Sequence, residues 1–202
     1  MNLEQHLINK CQKLDRERIH IVYLSYHSNF HNFYQAPLLL GTKILGWLKG
    51  REATDHICHI SRFNYDEAKG IYRPKIFEAN TKRGMEENDL IQRLKDFDGK
   101  LYIQTLGRVD KKLARDFEND YKGIAYEKDS ALFAGVDIPF LDKIFSKGKG
   151  RGFCSWLEAK FLLQQDYKIK AENGNPSELT PEDIRNENLA PTNLFYNSNE
   201  IY

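Results

Sequence analysis

The run Gly150–Lys160, GRGFCSWLEAK, puts a cysteine where a glycine-rich loop turns into a helix. Helix starts ordinarily take Ser, Thr, Asp or Asn, whose side-chain oxygens accept from the first unpaired N–H groups. A cysteine there meets those same N–H groups and the partial positive charge of the helix end, and both favour a thiolate over a thiol. Cys154 is therefore the candidate nucleophile. A free thiol titrates near ~8.5 and is only a few per cent ionised at neutral pH, so chemistry at this sulfur calls for a base. His56, at the head of a β-rich run, offers an imidazole. Glu78, at the end of the next such run, offers a carboxylate to hold the second ring nitrogen. The backbone N–H groups of Cys154 and Ser155 then point where a tetrahedral oxyanion forms. Taken one at a time, the same residues read as a buried core cysteine, a hydrogen-bonded structural histidine and a solvated strand end.

These residues need elements to carry them. Leu3, Leu7, Ile8, Cys11 and Leu14 recur at helical spacing, which predicts a short amphipathic N-terminal helix within an extension of about 1–18, with Cys11 on its apolar side. IHIVYLSYH reads as a strand, HNFYQAP as a connection, and LLLGTKILGWLKG as strand or helix, which period alone does not separate. DHICHISRF, NYDEAKG and IYRPKIFEAN read as a β-hairpin, in which His56, Cys58 and Ile60 share one face and Ile57, His59 and Ser61 the other. MEENDLIQRLKDF reads as a helix, GKLYIQTL as a strand, and DKKLARDFENDYKG as a helix closed by Gly123. Tyr126 to Phe145 reads as helix and loop, and SKGKGRG (146–152) as a mobile basic loop beside the nucleophile. Cys154 to about Asp166 reads as a helix. Thr180 with Pro181 and Asp183 makes a compact helix start. The polar stretch from Asn193 to Tyr202 reads as a partly flexible tail. The expected class is α+β, a small, mostly antiparallel sheet packed against helices in a single domain over 1–202.

The order of these contexts carries a resemblance. Asp55-His56-Ile57 opens one strand and Phe77-Glu78-Ala79 ends the next. Gly123-Ile124-Ala125-Tyr126-Glu127 follows a helix, Phe153-Cys154-Ser155 opens a later one, and Leu179-Thr180-Pro181-Glu182-Asp183 stands near the end. This succession resembles the circularly permuted NlpC-like branch of the papain-fold hydrolases, the YiiX-like group, over roughly 41–184. The resemblance implies a permuted papain-like fold with Cys154 as nucleophile, His56 as its base and Glu78 as the residue that orients the imidazole. It gives Tyr126 a substrate-side or oxyanion-side role, as it does Ser155. It further implies a cysteine peptidase or amidase working through an acyl-cysteine on peptide or cell-wall-peptide amide bonds. The broader family also includes lipid acyl hydrolases and transferases. The chain departs from the family's serine-histidine-apolar-glycine run: Asp55 precedes His56 as a second acceptor for the imidazole, and the bulky Cys58 stands on the pocket side. A non-catalytic papain-like binding module and an acyltransferase using the same thiol are the alternatives.

Composition bounds the rest. The 202 residues suffice for one core, and 30 Lys and Arg against 29 Asp and Glu leave a net charge of +1, which argues against a nucleic-acid partner. Cys11, Cys58 and Cys154 show no CxxC spacing and predict reduced thiols. The N-terminus has no signal-like pattern and no apolar run reaches membrane-spanning length, so the expectation is a cytoplasmic protein, or a phage-borne or otherwise released one, without a membrane span. His56, Cys58 and His59 lie on alternating faces with no second ligand cluster at a zinc-like spacing, which argues against a metal site, and His27 and His31 read as structural or surface residues. The chemistry requires no metal or organic cofactor.

Overall fold

The computed structural model describes residues 3–27, 54–80, 82–95, 97–126, 151–152, 154–169, 179, 181–187 and 189–198. Helix α1 (Leu3–Cys11) leads into strand β1 (Arg18–Tyr26). Strands β2 (His56–Asp66) and β3 (Ile71–Asn80) form the hairpin, β4 (Gly84–Asp89) follows, and a single turn, α2 (Leu90–Arg93), leads to β5 (Gly99–Arg108). Next come α3 (Lys111–Tyr121), the two-residue strands β6 (Ala125–Tyr126) and β7 (Arg151–Gly152), α4 (Cys154–Gln164), α5 (Pro181–Arg185) and β8 (Thr192–Asn197). Six strands make one antiparallel sheet in the order β4-β3-β2-β1-β5-β8, and β6 pairs with β7 in parallel. The protein is α+β.

The alternation of side chains divides the core between the two faces of this sheet. Ile21, Tyr23, Ile57, Phe77 and Ala79 lie with Cys154, Leu157, Phe161 and Leu162 of α4. Val22, Leu24, Cys58, Ile60 and Ile76 lie on the other face with Leu7 and Ile8 of α1 and Leu90 and Ile91 of α2. Strand β1, covered on both faces, is buried from Ile19 to Ser25. Helix α4 is buried nearly all round, at Cys154, Ser155, Leu157, Glu158, Ala159, Phe161 and Leu162, because sheet, α3 and α5 enclose it.

Two sequence expectations change. Residues 85–97, expected to be one helix, are split: Met85–Asp89 belongs to strand β4, which pairs with β3 through Glu86↔Glu78 and Glu87↔Phe77. Helix propensity in Met-Glu-Glu yields to the edge of a sheet that already holds the complementary strand, and helix begins only after Asp89, whose carboxylate caps Gln92 N–H. The second change is the tail. Thr192–Asn197 is an edge strand on β5, where Tyr196, 3% exposed, docks into the second core. The expected connection and second element over 28–48, the helix and loop after Tyr126, the basic loop 146–150, His31 and Thr180 lie outside the described residues.

Gly84 carries one positional burden. Its φ is +78°, and a Cβ there would stand 2.3 Å from the carbonyl oxygen of Ile124. That contact is made because Met85 N–H donates to Ile124 O (2.8 Å) and Gly123 N–H to Met85 O (2.8 Å), which ties β4 to the segment leading into Tyr126. Gly123 itself has φ +81° one residue past the cap of α3. Gly84→Ala is expected to lower stability by roughly 2–3 kcal/mol through backbone strain and the displaced strand, read as a drop in urea midpoint at unchanged slope.

Candidate active site

His56 is the first residue of β2, and its ring stands between two partners. Nε2–H donates to Glu78 Oε2 at 2.8 Å, and the Cys154 thiol stands in side-chain hydrogen-bonding reach of the imidazole. With Nε2 taken by the carboxylate, Nδ1 is the nitrogen left for sulfur. The structure thus brings His56, Glu78 and Cys154 together from the start of β2, the end of β3 and the first turn of α4.

The carboxylate of Glu78, 1% exposed, is fully engaged. Its second oxygen accepts from Asn88 Nδ2 at 2.8 Å, and Arg93 Nε stands 3.5 Å away. Arg93 also donates to Tyr26 OH at 2.7 Å, and Asn88 to Glu86 at 2.9 Å, so the acceptor is held from β4, α2 and β1. Burial would raise the Glu78 pKa, but the hydrogen bond and charge of His56, with Arg93 and Asn88, bring it down to about 2. Burial would likewise lower the pKa of His56. Hydrogen bonds to Cys154 and Glu78, and their charges, overcome that and raise it to about 9. Both partners therefore favour the protonated imidazole.

Asp55, the competing acceptor foreseen beside His56, is used elsewhere: its Oδ2 accepts from the backbone N–H of Tyr26 at 2.8 Å. Cys58 does not crowd the site, because it is fully buried in the other core with Val22 and Ile76. All three cysteines are free and buried. Burial raises the Cys11 thiol to about 12 and takes the Cys58 thiol well above its usual value, so neither is primed to react. Among the described residues, no group of three or more His, Cys, Asp or Glu side chains is arranged to hold a metal ion.

Tyr126 comes to the sulfur from strand β6, which pairs with Gly152 on the approach to α4. Burial pushes its phenol well above the usual value, and the charge and hydrogen bond of Cys154 push the same way. Tyr126 is thereby a proton-bearing O–H donor at the thiol. Ser155 is placed differently. Its side chain is 1% exposed, its Oγ has no hydrogen-bond partner among the described residues, and its backbone N–H lies in the first turn of α4.

Sequence reasoning missed the support. Asn88 and Arg93 were hidden by the helical reading of their segment. Arg185 of α5 donates to Thr54 Oγ1 at 3.2 Å and lies over the Tyr102 ring at 4.1 Å, which pins the corner just before His56. No local signal marks that contact, which spans most of the chain. No protein family, curated protein or solved structure matches the chain. Among the described residues, no helix is long and apolar enough to cross a membrane.

Proposed function

We propose that the protein is a cysteine hydrolase of the peptidase or amidase type, with Cys154 as nucleophile, His56 as proton carrier and Glu78 as the residue that orients the imidazole. The observation that carries this reading is the single imidazole placed between a buried carboxylate and a thiol at the first turn of a buried helix. Structural histidines need one satisfied hydrogen bond; this one has a fixed acceptor on one nitrogen and a nucleophile on the other.

In the first half-reaction the Cys154 sulfur, its proton held by His56, attacks the carbonyl carbon of the substrate. The tetrahedral oxyanion is met by the backbone N–H groups of Cys154 and Ser155 and by the Tyr126 hydroxyl. The C–N bond breaks as His56 passes its proton to the leaving amine, and the acyl group stays on sulfur. Water, deprotonated by His56, then attacks the thioester and returns the free thiol with the carboxylic acid. Glu78 keeps the ring oriented and stabilises its protonated form throughout. The permuted papain-like fold and the peptide or acyl-amide substrate class belong to the same proposal.

The test is the rate of alkylation of each cysteine by iodoacetamide, read by peptide mass spectrometry, in the native protein and in His56→Ala. Cys154 is expected to react at pH 7 at least about tenfold faster than Cys11 and Cys58 and to lose that advantage without His56. A Cys154 that reacts equally fast with and without His56 would overturn the assignment.

A further inference from the structure

The strand that carries His56 and the helix that carries Cys154 are joined a second time, deep in the core. His59 of β2 and Glu158 of α4 are both fully buried, and His59 Nδ1–H donates to both carboxylate oxygens of Glu158 at 2.9 and 3.1 Å. The other ring nitrogen faces Glu118 Oε1 of α3 at 3.4 Å. Phe161 of α4 stacks on the same imidazole, with ring centroids 3.8 Å apart and planes within 1° of parallel. Phe77 and Phe117 close the ring in.

The spacing ties this cluster to the candidate nucleophile. Cys154, Glu158 and Phe161 stand at i, i+4 and i+7, on one stripe of α4, so the Cβ atoms of Cys154 and Glu158 lie one turn, about 6 Å, apart. The stripe meets two histidines of a single strand. Apolar packing, which holds the rest of α4, is non-directional and tolerates rotation or sliding of a helix by fractions of an ångström. A bifurcated hydrogen bond and a parallel stack tolerate neither.

Stability alone does not call for such a cluster. Apolar residues of the same volume in place of a buried ion pair are often as stabilising or more so. A directional link is what the apolar replacement cannot provide. We propose that His59, hydrogen-bonded to Glu158, stacked on Phe161 and with Glu118 standing 3.4 Å from its other ring nitrogen, is a positioning residue that sets the Cys154 sulfur against the His56 imidazole. The inference rests on the cysteine hydrolase reading, and it adds a role for residues that touch neither substrate nor sulfur. A displacement of the nucleophile by about 1 Å costs on the order of a hundredfold in rate, which is the scale on which the clamp acts.

The experiment compares iodoacetamide alkylation of Cys154 at pH 7 in four proteins: wild type, His56→Ala, Glu158→Gln, and Glu158→Gln with His56→Ala. Glutamine keeps volume and one acceptor oxygen but loses the charge and the second equivalent oxygen. Folding is checked by circular dichroism and by the slow rates at Cys11 and Cys58. In folded Glu158→Gln the rate at Cys154 is expected to fall about tenfold and to become insensitive to removal of His56. A folded Glu158→Gln in which Cys154 keeps both its rate and its dependence on His56 overturns the positioning role alone. If His56→Ala leaves the otherwise wild-type rate unchanged, the hydrolase reading falls first and the positioning role falls with it. Should Glu158→Gln not fold, Glu118→Gln decides by the same two outcomes, since Glu118 sits at the partly exposed end of the cluster with 16% of its side chain accessible.

Discussion

Cys154→Ala is expected to remove covalent turnover while leaving the fold in place. With p-nitrophenyl acetate as an activated acyl donor, the wild type should show a burst of nitrophenolate equal to the enzyme present, with one acetyl group traced to Cys154 by peptide mass spectrometry. The alanine variant should show neither, and its rate should fall on the order of a thousandfold or more. The large effect follows from chemistry that has no second route. His56 and Glu78 can hold and move a proton, but in the mechanism proposed the acyl bond forms on the sulfur. The stability cost is small by comparison. Cys154 is 6% exposed within the core formed with Ile57 and Leu157, and deleting one sulfur atom there costs about 1 kcal/mol. An unchanged acetyl stoichiometry in the variant would place acylation on another residue and end the assignment of Cys154.

The second large effect is expected at Glu78. A glutamine in its place must turn its NH2 either toward the His56 N–H or toward Asn88 and Arg93, and each choice sets donor against donor. The imidazole loses its fixed acceptor and the half-buried Arg93 loses a countercharge. Catalysis should fall by roughly 10² to 10⁴-fold, as when an orienting carboxylate is neutralised, and stability by roughly 3 kcal/mol.

The pH dependence gives this prediction a sign. His56 is raised from 6.5 to about 9, so its contribution to stability is complete below 6.5 and is lost as pH rises through about 9. Glu78 is lowered from 4.5 to about 2, so its contribution is complete above 4.5 and is lost as pH falls through about 2. The two overlap fully between 4.5 and 6.5. The gap in unfolding free energy between wild type and Glu78→Gln should therefore be widest in that window and narrow on both sides of it, as read by urea denaturation at a series of pH values. The alkaline limb of activity should also move to lower pH, because the imidazolium loses the hydrogen bond and charge of the Glu78 carboxylate. A gap that stays constant from pH 5 to pH 10 would mean that the carboxylate and the imidazole do not titrate as a pair.

Much of the frame was legible before any coordinate. The β2–β3 hairpin shows as two alternating, β-branched runs around a polar turn, and α3 as a periodic run between the capping Asp110 and Gly123. These are local signals, written in residues a few positions apart. The candidate residues His56, Glu78 and Cys154 were also legible, since a cysteine at a helix start and polar residues at strand ends stand out against their surroundings. Their meeting was a different matter. Strict alternation assigns His56 and His59 to opposite faces of β2, yet both find partners on α4, His56 from the first position of the strand and His59 from beneath the helix.

Tertiary structure alone decided the support. Asn88 and Arg93 serve Glu78 because residues 84–89 pair with β3 as a strand, and that pairing overrides the helix propensity of their own sequence. Asp55, adjacent to His56 in the chain, turns away to Tyr26 N–H, while Glu78, far away in the chain, takes the imidazole. Thr192–Asn197 is an edge strand because β5 presents it with unpaired N–H and C=O groups and a socket for Tyr196. The amino-acid sequence by itself determined which side chains are capable of the chemistry, because reactivity begins with residue type and the nearest turn. The tertiary structure decided which of them meet, because hydrogen bonds between distant segments depend on sheet register and helix packing, to which no short run of residues refers.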